Sequence, residues 1–116
     1  MIKINESGNE ATREYKMKIT SYQALSDQQQ SDPNLKRKAQ HEARVLRTLQ
    51  LKIKKALLSY MKKHKIGFNE VVRRLNSAPD HVSRMQKGTA NLTLTSLAHL
   101  SAMLEMEPTL TFKKRS

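Results

Sequence analysis

Between Pro33 and Gly67 the chain contains neither glycine nor proline, and this uninterrupted stretch limits its folds more than any other feature. Within it Leu35, Ala39, Ala43, Leu46, Leu49 or Gln50, Ile53, Leu57 and Met61 recur three and four residues apart, the spacing of one face of an α-helix. Asp32-Pro33 reads as its start, because aspartate can accept from an otherwise unpaired amide and proline at the first helical position gives up no hydrogen bond. The pattern predicts either one helix to about Lys65, roughly 45 Å long at 1.5 Å per residue, or two helices broken near Leu49-Gln50-Leu51. A helix this long needs its apolar stripe covered by something, so its amino-terminal half is expected to pack on a second copy of the chain, on a partner or on the arm at 1–33.

Downstream, breakers come quickly. Ile66-Gly67-Phe68-Asn69 interrupts the long helix, and Asn69 to Leu75 reads as a short helix with Val71, Val72 and Leu75 inward. Asn76-Ser77-Ala78-Pro79 is a turn, and Asp80 to Lys87 a second short helix with Val82 and Met85 inward, closed by Gly88. Leu94 to Leu104 is a fourth helix, and the alternation in Pro108-Thr109-Leu110-Thr111-Phe112 predicts a short C-terminal strand. The expected class is therefore all-α: a helical bundle with a long basic helix at 34–65, a helix-turn-helix core with its tail at 66–116, and a flexible arm at 1–33.

Charge narrows the function. The 116 residues hold 22 Lys and Arg against 10 Asp and Glu, a net charge of +12. Residues 1–33 carry four basic and five acidic side chains, residues 34–88 fifteen and three, and residues 89–116 three and two. The whole imbalance thus sits in the middle, where a solvated helix face would mix its signs, and it points to a polyanion, most often nucleic acid. No apolar run approaches the roughly 18 residues that cross a bilayer, and the N-terminus lacks a signal-peptide stretch, so no membrane partner and a cytoplasmic location are expected. With no cysteine, scattered histidines (His41, His64, His81, His99), no phosphate loop and no nucleophile beside a base, neither metal, cofactor nor enzymatic activity is expected. The few aromatics do not interleave with the basic residues as in a single-strand binder.

Two short helices joined by a tight turn, with helices before and after, can present the second helix to a DNA major groove. The stretch Val71-Val-Arg-Arg-Leu-Asn-Ser-Ala-Pro-Asp-His-Val-Ser-Arg-Met-Gln-Lys-Gly88 resembles the Xre/Cro-like helix-turn-helix family, and Asn91 to Leu104 looks like that family's fourth helix. The likeness covers about residues 50–108. It puts Val72 at the close helix crossing, Asn76 at a turn position usually given to glycine, Val82 and Met85 in the core of the recognition helix, and Gly88 at its end. Phe68 stands where the family often has a phosphate-binding glutamine, and Glu105 where it often has glycine.

The resemblance places Pro79, Asp80, Ser83 and Arg84 toward DNA bases, with His81 and Lys87 nearby, and makes Arg73, Arg74, Lys87, Thr89 and Asn91 candidates for phosphate contact. Arg84 is the strongest base reader, because its planar fork matches the two acceptors of guanine. For Asp80 two roles stay open: Ser77-Ala78-Pro79-Asp80 has capping-box spacing, and a carboxylate can also accept from a cytosine amine.

In the arm, Tyr15, Met17 and Ile19 alternate with polar residues and are expected to bind a partner. Proteins of this kind use paired recognition helices, so a homodimer is expected, with Leu110 and Phe112 favoured at its interface over the Leu35 to Leu49 stripe. The expected function is a repressor on a double-stranded DNA operator, resembling the HigA-type antitoxins of toxin-antitoxin pairs and hence partnered by a toxin. A phage- or plasmid-type repressor without a toxin, and a basic module that binds RNA or an acidic protein, are the alternatives.

Overall fold

The computed structural model describes residues 21, 22 and 31–114. Among them are four helices and no strand: α1 (Pro33–His64), α2 (Phe68–Leu75), α3 (Pro79–Lys87) and α4 (Leu94–Leu104). The described residues are all-α, and the chain divides into two units at Ala43–Arg44, inside α1.

The 32-residue stretch is one helix without a break at Leu49-Gln50-Leu51. Its start is the expected one: the Asp32 carboxylate accepts from the Asn34 amide at 2.9 Å, and the Asp32 carbonyl accepts the first intrahelical bond, from Lys36, at 2.9 Å. Nearby, in the first unit, the Ser21 hydroxyl donates to Glu42 at 2.7 Å.

The second unit is organised round Leu57, Val71, Leu75, Val82, Met85, Ala90, Leu100 and Leu104, with every helix contributing. The inward positions expected on α2 and α3 are met by Val71, Leu75, Val82 and Met85, and Val72 is half-buried. Ser101 is the buried polar side chain of the described residues, and it donates back to the Leu97 carbonyl one turn earlier at 2.7 Å. In the second unit α1 has only one fully buried residue, Leu57, while Leu46, Leu49, Leu51 and Leu58 stay at least 39% exposed. The stripe predicted to need covering is thus largely open upstream of Ile53.

All four helices end the same way. The residue after each adopts the left-handed conformation, at Lys65 (φ 55°), Asn76 (φ 52°), Gly88 (φ 75°) and Glu105 (φ 56°), and the following amide bonds back to a carbonyl five residues earlier. Asn76 and Gly88 fill these places as expected. The break after α1 is a correction: Lys65 makes the turn, whereas Gly67 is extended (φ −106°, ψ −168°) and merely precedes α2.

The tail is a second correction. Residues 108–112 form no strand, Leu110 is 76% exposed and Phe112 90% exposed. Alternation gives a segment two faces but not a neighbour, and a strand without a hydrogen-bonding edge has nothing to hold its backbone. Tyr15, Met17 and Ile19 lie outside the described residues.

Candidate nucleic-acid interface

The site is built from α2, a three-residue turn and α3. The turn is set by Asn76, whose amide donates to the Arg73 carbonyl at 3.2 Å while the Ser77 amide reaches Val72 at 3.4 Å. Asparagine tolerates the left-handed conformation better than other non-glycine residues because its short amide can bond locally. Pro79 then opens α3 at a position where no amide is missed.

Val82 and Met85 anchor α3 from below, and Gln86 reaches the Met61 sulfur of α1 at 3.4 Å. That leaves Pro79, Asp80, Arg84 and Lys87 exposed, with Ser83 half-buried at the edge. Four of the sequence-predicted residues thus share one outward face. Within it the Arg84 guanidinium pairs with the Asp80 carboxylate one turn away, at 2.8 Å, and both remain more than half exposed. The capping-box expectation for Asp80 is not met: the cap of α3 is Ala78 with no side-chain bond, and the Ser77 hydroxyl lies 3.2 Å from His81 Nδ1 instead. Asp80 is two residues inside the helix, so its carboxylate meets Arg84 at i+4 rather than the cap amide.

The phosphate candidates divide. Arg73 and Arg74 both bind Glu70: Arg74 Nε donates at 2.8 Å, and Arg73 donates with both Nε and Nη2. These bonds hold the Glu70 carboxyl well below its ordinary range, at about 2, chiefly through Arg73 and then Arg74. Arg74 also donates to the Tyr60 hydroxyl at 2.9 Å, which ties α2 to α1 and leaves its side chain only one-third exposed. Arg73, 71% exposed, is the freer cation. Lys87, Thr89 and Asn91 are exposed at and beyond the end of α3, and the Thr89 amide donates to the Arg84 carbonyl at 2.9 Å.

A cavity of about 690 Å³ opens between α3 and α4, with His81, Arg84, Thr89, Asn91 and Ser96 on its walls beside Met85 and Leu92. It joins the exposed face of α3 to the start of α4, which Thr93 caps by accepting from the Ser96 amide at 3.1 Å.

Sequence reasoning missed the side chains that hold α3 in place from behind. Arg47 of α1 donates to the Gly88 carbonyl at 2.8 Å, and Gln50 donates to the Ala90 carbonyl at 3.0 Å. His99 of α4 donates through Nε2 to the Leu75 carbonyl, at the end of α2. The spacing Glu70-x-x-Arg73-Arg74 signals the acidic clamp, since residues three and four apart meet on a helix. Nothing in the spacing of Arg47 and Gln50 signals carbonyls forty residues away. Among the described residues no group of His, Asp and Glu is placed to hold a metal, and no helix is long and apolar enough to cross a membrane.

Comparison with protein-family models, with curated proteins and with solved structures finds no match to this chain.

Proposed function

We propose that this protein is a sequence-specific DNA-binding repressor of the Xre/Cro-like helix-turn-helix type, with α3 as its recognition helix. The observation that carries the reading is the outward face of α3. A short helix, fixed from behind by Val82, Met85 and the Arg47 bond to Gly88, exposes Pro79, Asp80, Arg84 and Lys87 together, beside a tight turn and with no apolar side chain larger than proline. Such a face suits base edges, which are read by forked and short polar groups, and not an apolar partner. Arg84 reads guanine, Arg73 and Lys87 grip phosphate, and Ser83 lies at the margin of the contact.

One duplex half-site is short, so the repressor acts as a homodimer whose recognition helices lie about one DNA turn apart, roughly 34 Å. Its narrower role as an antitoxin rests on the family likeness and on the arm with Tyr15, Met17 and Ile19. Selection from a randomised duplex pool, followed by footprinting, tests the reading. A two-fold symmetric motif with guanine at a fixed place in each half is the expected result, and recovery of unrelated sequences with equal affinity would refute it. Co-expression with the product of the neighbouring reading frame tests the antitoxin role, which fails if the two proteins do not associate.

A further inference from the structure

The contacts behind α3 also orient α1. The Arg47 guanidinium reaches the Gly88 carbonyl, and a side-chain carbon placed on Gly88 would lie 3.3 Å from Lys54 Cδ and 3.7 Å from Leu51 Cδ2. The flank of α1 carrying residues 47, 51 and 54 therefore borders the end of α3, where Arg84 and Lys87 are exposed. Helical periodicity adds Arg44 and Lys62 to that flank, one turn before Arg47 and two turns beyond Lys54.

The segment that carries this ridge is unusual in its charge, and half of its basic side chains lie on the flank. Residues 44–65 hold eight Lys and Arg and no Asp or Glu. Among the described residues the ion pairs of the second unit join Glu70 to Arg73 and Arg74, and Asp80 to Arg84, and none of these reaches the ridge. Like charges three residues apart, such as Arg44 and Arg47, destabilise a helix unless a counter-charge lies over them. A polyanion laid along the flank supplies that counter-charge.

We propose that the Arg44, Arg47, Lys54 and Lys62 flank of α1 is a second DNA-contacting surface, which follows the phosphate backbone beside the groove that α3 enters. This inference rests on α3 as the recognition helix. From Arg44 to Lys62 the flank spans about 27 Å at 1.5 Å per residue. That is more than twice the roughly 12 Å width of a major groove, long enough to reach a phosphate strand wherever the flank crosses the groove that α3 enters. It carries affinity without sequence preference, because phosphates are alike at every base pair.

The test uses the full chain and a random-sequence B-form duplex, with affinity measured against salt. Each lost phosphate contact lowers the slope of log affinity against log salt by about 0.9. The double variant R44Q/K54Q should therefore lower it by about two, with an unchanged thermal melt, since glutamine keeps the side-chain carbons near Gly88. The control is K52Q/K63Q, which removes the same charge elsewhere on α1; Lys52 lines the groove toward α4 instead. The control should move the slope by less than half a unit. Equal losses in both variants, or none in R44Q/K54Q, would overturn the proposal, as would displacement of the duplex by polyglutamate at equal charge, which would make the ridge a protein-binding surface. Failure of the repressor reading looks different: the wild-type chain would show no preferred sequence while the ridge-dependent slope persisted.

Discussion

Replacing Arg84 by alanine separates base reading from simple attraction to DNA. In the free protein the guanidinium is already engaged, 2.8 Å from the Asp80 carboxylate. Both groups are more than half exposed, so this pair contributes only about 0.3–0.5 kcal/mol to the fold, the usual range for an i,i+4 pair in solvent. Arg84 is more than half exposed, and the variant should melt within about 0.5 kcal/mol of the parent, as surface substitutions do. Binding should change far more. A forked contact to guanine discriminates by roughly 1–3 kcal/mol, from which the broken pair with Asp80 is subtracted. The net loss is about 0.5–2.7 kcal/mol, or roughly 2- to 100-fold in affinity. It should be confined to duplexes that carry the preferred base at one position in each half-site. Competition binding against duplexes changed one base pair at a time measures this directly. If Arg84→Ala weakens every duplex equally, Arg84 holds phosphate and the assigned register of α3 is wrong. If it changes nothing, α3 does not face DNA.

Three further outcomes are expected. Glu105 sits at φ 56°, a conformation that costs a non-glycine residue roughly 1–2 kcal/mol, so Glu105→Gly should raise stability by about 0.5–1 kcal/mol after the added chain entropy of the unfolded state, whereas Gly88→Ala should lower it; thermal unfolding followed by circular dichroism checks both signs. Glu70, held at about 2 against an ordinary 4.5 by its bonds to Arg73 and Arg74, adds stability that is fully present above pH 4.5 and is lost as pH falls toward 2; acid titration of Glu70→Gln should therefore show a shallower decline across that window than the parent. Leu110 and Phe112 are exposed, so replacing both by Asp should leave the helical circular dichroism unchanged and, with the dimer interface there, yield a monomer in sedimentation; a variant that stays dimeric moves the interface to the exposed Leu46 and Leu49 of α1.

Local chemistry alone makes the helices of this chain legible in its residues. Asp32-Pro33 announces the start of α1, the three-and-four spacing carries it forward, and Asn76 and Gly88 mark the ends of α2 and α3 because the left-handed turn favours those residues. The inward set of α2 and α3 follows from the same periodicity, and with it the outward face of Pro79, Asp80, Arg84 and Lys87. What stays hidden depends on distance through space. Lys65 and Glu105 hold left-handed turns that their side chains do not favour, since the packing on either side dictates where the helix must end. The alternation at 108–112 cannot say whether an edge exists to receive a strand, and among the described residues none does. The bonds of Arg47 to Gly88, Gln50 to Ala90 and His99 to Leu75 join residues 24 to 41 positions apart. Residue spacing encodes the helix on which a side chain sits; only the packed fold decides which distant carbonyl it meets, and so which flank of the basic helix lies beside α3.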